Sequence, residues 1–129
     1  MLELDYAFLA EYATVKDGSL TTVGGSYTHV VVDALPTDHL LSLAGRVRAS
    51  EDVEPFKVSL TIEAPEGAYR IGMDTTLSRS ASSRPYDGKV GILFAATTLM
   101  PLPSEGLYWV TVMLEDEPVR RLGFSVAAR

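Results

Sequence analysis

The stretch from Pro101 to Val126, PLPSEGLYWVTVMLEDEPVRRLGFSV, constrains the chain most. Tyr108, Val110, Val112 and Leu114 fall on one face of a period-2 strand, and Leu122, Phe124 and Val126 on one face of the next. Between them lies a charged turn, so the pattern predicts an antiparallel hairpin with one apolar face. Such a face must be covered by another, and a chain whose clearest unit is a hairpin covers it with a second sheet.

The remaining segments repeat the theme. Leu2, Leu4, Tyr6, Phe8, Ala10 and Tyr12 occupy even positions against Glu3, Asp5 and Glu11, which predicts one long strand. The rival is a short amphipathic helix with Leu2, Leu9 and Ala13 on a stripe; the strand accounts for more of the positions. Asp17-Gly18 supplies turn chemistry for a hairpin returning through Ser19 to Val23, and Gly24-Gly25 a bulge or corner before the β-branched run Tyr27 to Val32. Pro36 and its neighbours predict a turn that includes His39, with a new strand near Leu40. There Leu41, Leu43, Val47 and Ala49 face the core and Arg46 and Arg48 face solvent. Phe56, Val58, Leu60 and Ile62 alternate with Lys57, Ser59, Thr61 and Glu63, whose face is expected to be wet, and Pro65-Glu66-Gly67 turns the chain into an alternating run from Ala68 to Asp74.

From Thr75 to Lys89 the sequence TTLSRSASSRPYDGK carries few apolar anchors, chiefly Leu77 and Tyr86, and predicts the one long loop. Val90 to Met100 is apolar on both faces, as a central strand would be. The expected fold is all-β: a single domain over 1–129 forming an antiparallel β-sandwich of about eight to nine strands, immunoglobulin-like or jelly-roll-like.

Several chemistries are excluded. The chain has no cysteine, which removes disulfides, thiolate nucleophiles and cysteine-ligated metals. The formal charge of −6 disfavours nucleic acid and anionic membrane as partners. The acidic start MLELDYAF does not resemble a signal peptide and no run of apolar residues is long enough to span a bilayer, so a cytoplasmic protein is expected. His29 and His39, with Asp33 or Asp38, show no metal-ligand spacing, and no G-x-S-x-G elbow marks a serine nucleophile. Gly24-Gly25 lacks the lysine and helix of a phosphate loop. No catalytic residue, metal site or cofactor is predicted. Dispersed carboxylates could meet only in space, as in a glycoside hydrolase, and here they sit at turns and on outward faces.

The segments DYAFLAEYA, KDGSL, GGSYTHVVV and PSEGLYWVTVMLEDEPVRRLGFSV resemble a family of small uncharacterised bacterial proteins of unknown function. The resemblance implies membership and fold and carries no catalytic residue with it. The function expected is a non-enzymatic protein-binding or self-assembly module whose partner is a second copy or another protein. The alternative is a sandwich that binds a small ligand or carbohydrate with its loops, through Arg79, Arg84, Tyr86 and Lys89 of the long loop together with Tyr27. For the first reading the interface candidates are Leu93, Leu99, Leu107, Trp109 and Met113. They would form one apolar patch if Val90 to Leu99 paired with Leu107 to Met113 across the Pro101 to Gly106 turn. The competing possibility is that the long loop folds back through Leu77 and Tyr86 and covers that patch.

Overall fold

A computed structural model describes residues 2–129. The protein is all-β, and its strands run in the order β1 (Leu2–Ala10), β2 (Tyr12–Lys16), β3 (Ser19–Val23), β4 (His29–Val32), β5 (Thr37–Ser50), β6 (Phe56–Glu63), β7 (Arg70–Leu77), β8 (Lys89–Leu102), β9 (Gly106–Leu114) and β10 (Glu117–Ala128). That is ten strands among the described residues, against the eight or nine expected. The tenth comes from the first segment, which breaks at Glu11 into β1 and β2.

Two open sheets share one core. One holds three strands in the order β1-β5-β8; the other holds five in the order β4-β10-β9-β6-β7, antiparallel throughout except for the β4–β10 edge pair, which is parallel. Leu43, Val47 and Phe94 from the narrow sheet meet Ile62, Val110 and Phe124 from the wide one in a single apolar cluster. The closing hairpin is as predicted: Tyr108, Val110, Val112 and Leu114 are buried, with Leu122, Phe124 and Val126 beside them on the inner face.

Three expectations are corrected. The even positions of the first segment do not share a face, because the β1–β5 register shifts between Leu4 and Tyr6. The bulge at Asp5 reverses the alternation, so Leu2 and Leu4 pack on the core, and after it Ala7 and Leu9 do so, while Phe8 and Ala10 face outward. Second, β8 is an edge strand and not a central one; outward Ala95 is covered instead by the β2–β3 hairpin, which lays Ala13 and Leu20 against Ala10, Ala44 and Ala95, while Leu99 stays exposed. Third, β8 pairs with β5 alone and β9 with β10 and β6, so the Pro101 to Gly106 segment carries the chain from one sheet to the other. The expected pairing of Val90–Leu99 with Leu107–Met113 does not form.

The outer face of β6 also differs from expectation, since Ser59 and Thr61 are buried on a central strand flanked by β7 and β9. His39 is not in a turn. It sits on the inner face of β5, which begins at Thr37, after a cis Leu35–Pro36 bond. Its Nε2 lies 2.8 Å from Tyr27 Oη, and both rings pack on Phe124. Burial lowers the His39 pKa, against a smaller opposing pull from Glu11, and burial with the nearby Glu11 charge pushes Tyr27 up to about 12.

Candidate functional site

A three-stranded sheet cannot cover a five-stranded one, and the uncovered margin is β7. Ile71 and Met73 lie on the inner face of the wide sheet, opposite Ile62 and Leu60 in the β6–β7 register, yet they are 38% and 37% exposed. Beneath Met73 the gap between β7 and the edge of β8 forms a hollow of about 270 Å³, walled by Leu43, Val58, Leu60, Met73, Leu77 and Phe94. At one end Tyr69 ties the wide sheet to β8 by donating a hydrogen bond from Oη to the Pro101 carbonyl, 2.5 Å away; burial raises its pKa to about 12. At the other end lies the segment 78–88, shorter than the predicted Thr75–Lys89 because β7 continues to Leu77 and β8 begins at Lys89.

The free edge of β7 has a defined polarity. The Ala64 amide donates to the Tyr69 carbonyl at 3.1 Å, which makes the directly opposed Ala64 and Tyr69 a hydrogen-bonded pair. On the far side of β6, the Glu115 amide donates to the Lys57 carbonyl at 2.9 Å, consistent with odd-numbered residues of β6 bonding β9 and even-numbered ones bonding β7. Within β7, Ile71, Met73 and Thr75 therefore spend their backbone groups on β6. Arg70, Gly72, Asp74 and Thr76 direct theirs to the unpaired edge.

The loop makes a second hollow, of about 490 Å³, that meets the first at Val15 and Leu93 and is lined by Arg46, Arg84, Tyr86 and the serines Ser78, Ser80, Ser82 and Ser83. Its floor is a stack on the outer face of the narrow sheet. The Arg46 guanidinium lies 5.0 Å from the Tyr6 ring centre and 6.0 Å from that of Tyr86, with Arg48 5.1 Å from Tyr86. Asp5, displaced to this face by the bulge, accepts from Arg46 Nε at 2.8 Å and from its Nη2, which raises the Arg46 pKa.

The structure scatters the sequence-predicted residues over several surfaces. Arg79 is tied down, donating to the Ser83 hydroxyl at 3.0 Å and to the Glu51 carbonyl at 2.6 Å. Arg84 lines the second hollow, Tyr86 is stacked beneath it, and Lys89 exchanges backbone hydrogen bonds with Tyr86 to hold the loop closed. Tyr27 faces His39 and not a loop surface. Leu93 and Leu99 are on the outer face of the narrow sheet, Leu99 beside the also exposed Leu40, whereas Leu107, Trp109 and Met113 are on the outer face of the wide sheet. The five do not form one patch. The long loop does not cover Trp109 either; the indole lies against Gly123 and under the Arg121 guanidinium, 3.8 Å from the ring centre. In the sequence Ile71 and Met73 alternate as in any half-buried strand, and only the width of the opposing sheet leaves them bare.

The model of a family of unknown function, DUF6941, matches residues 5–127. The chain belongs to that family. No curated protein matches it. Family membership thus covers nearly the whole fold, hollows and β7 edge included, and assigns no activity to any of them. Among the described residues no three His, Asp or Glu side chains converge as metal ligands, and no helix is long and apolar enough to cross a membrane.

Proposed function

We propose that this DUF6941 protein is a non-enzymatic protein-binding module that takes an extended segment of its partner as an added strand along β7. The observation that carries the reading is the run of outward backbone groups at Arg70, Gly72, Asp74 and Thr76, next to half-bare Ile71 and Met73, the latter lining an apolar hollow. Strand addition uses these two features together, main-chain bonds for affinity and alternate side-chain pockets for selectivity. The other margins differ from β7. β4 is four residues long and β1 carries the Asp5 bulge, while β8 has the β2–β3 hairpin packed beside it on its outer face. With this goes the finer fold reading, a β-sandwich with one overhanging edge, and a cytoplasmic bacterial setting.

The test uses Gly72→Pro, which deletes an outward amide while sparing the β6 ladder. Extended peptides selected from a displayed random library are expected to bind the wild type and to lose at least about tenfold in affinity on the variant, one outward hydrogen bond and its neighbours being broken. Peptides that bind both proteins equally would place the partner elsewhere. A second reading rests on Arg84, which lines the serine-rich hollow with no ion-pair partner among the described residues and gives a small anionic or hydroxylated ligand a place to bind.

A further inference from the structure

The fold does not require a glycine at position 72. Gly72 is not among the residues with positive φ, and a Cβ there would meet only the Leu60 carbonyl, at an ordinary contact distance of 3.8 Å. It nevertheless sits at the centre of an outward-bonding run, flanked symmetrically by Arg70 and Asp74 two residues away on either side. Glycine inside a strand marks a bulge, a bend or the close approach of a ligand or another backbone, and β7 pairs with β6 through Gly72 with no register shift. Neither Arg70 nor Asp74 forms an ion pair among the described residues.

We propose that the strand added to β7 is β7 of a second copy of this chain, antiparallel, with the two-fold axis at Gly72. The proposal rests on the strand-addition reading above and names its occupant. The register follows from elimination. Outward residues must pair with outward residues, so the axis passes through a residue and not between two. An axis at Arg70 or at Asp74 sets like charges directly opposite each other. An axis at Ile71 sets Arg70 against Gly72, and one at Met73 sets Asp74 against Gly72, leaving the charges unmatched. Only an axis at Gly72 sets Arg70 opposite Asp74 of the second copy, and does so twice; directly opposed unlike charges stabilise a ladder and like charges weaken it. The same register places Ile71 against Met73 of the second copy, covering the half-bare residues on both sides. Two five-stranded sheets would then run on as one, and self-complementarity through a two-fold axis is the commonest way a chain meets its own copy.

Sedimentation equilibrium over a wide concentration range is the test, with circular dichroism to verify folding. The wild type is expected to dimerise reversibly. Arg70→Asp and Asp74→Arg are each expected to weaken the dimer by at least about tenfold, since each sets like charges opposite. An equimolar mixture of these two variants regains association, because the introduced Asp at 70 meets the introduced Arg at 74 in one pair and Asp74 of the first variant meets Arg70 of the second in the other, and the doubly reversed R70D/D74R protein dimerises with itself. A dimer indifferent to either single reversal, or a mixture that fails to associate, overturns the register. A wild type that stays monomeric throughout overturns the second copy as occupant. If that monomer still selects extended peptides and loses them in Gly72→Pro, strand addition stands with another partner; if it selects none, both readings fall.

Discussion

Ile62 and Ile71 are the same residue on the same face of the same sheet, directly opposite each other across one ladder, and they are 1% and 38% exposed. The pair separates two determinants of burial that strand patterning merges. Alternation decides which way a side chain points. Whether anything lies there depends on the opposing layer, and β6 has the three-stranded sheet beneath it while β7 overhangs. The centre of the molecule is held by packing and its margin by backbone hydrogen bonds, so the two should respond differently to the same change.

The largest expected contrast comes from a carboxylate. Ile62→Asp buries an unpaired charge in the core and should cost on the order of 4 kcal/mol or unfold the protein, whereas Ile71→Asp, able to hydrate, should cost under about 1 kcal/mol. Urea denaturation of both variants measures this, and similar losses would erase the distinction between centre and overhang.

Glycines sharpen it next. A Cβ at Gly45, in the middle of the narrow sheet, would lie 2.5 Å from the Tyr6 carbonyl and 2.6 Å from the Phe94 ring. Gly45→Ala therefore forces backbone to move and is expected to cost roughly 2 kcal/mol. Gly72→Ala meets no such obstacle and should be neutral or stabilising by about 0.5 kcal/mol at low protein concentration, through lost freedom of the unfolded chain.

Proteolysis compares the loop with the strand under it. Trypsin is expected to cut first after Arg79 or Lys89, Arg84 being shielded by Pro85, while Arg46 and Arg48 in β5 survive. Mass spectrometry of early fragments reads the order; a first cut in β5 would mean that the narrow sheet is the weaker layer.

The smallest effect is a pH dependence within the covered part of the fold. With its pKa lowered by burial, folded His39 binds a proton less readily than the unfolded chain does. Its contribution is therefore present above the unfolded histidine value of about 6.5 and is lost as pH falls through the lower folded value. His39→Gln should flatten the fall of melting temperature with acidity in that window. An unchanged slope would assign the acid sensitivity to other groups.

What the sequence determined by itself were the features with a local physical cause. Side chains alternate with period two whatever lies above them, so the alternate residues of Tyr108 to Leu114, Leu122 to Val126 and Phe56 to Ile62 lie on the inner face as their pattern predicts. Asp17-Gly18 turns as its residue types require, with positive φ at both positions. The tertiary structure alone decided everything that depends on which strands meet. The bulge at Asp5 reverses the face of β1, although it has no residue signature, because only the β5 register reveals an extra residue. The two-sided apolar pattern of β8 signalled a central strand, and a folded-over hairpin satisfied it at an edge instead. The candidate site depends on strand count: three strands facing five leave β7 uncovered, and sheet width is a sum over long-range pairings that no single stretch of sequence contains.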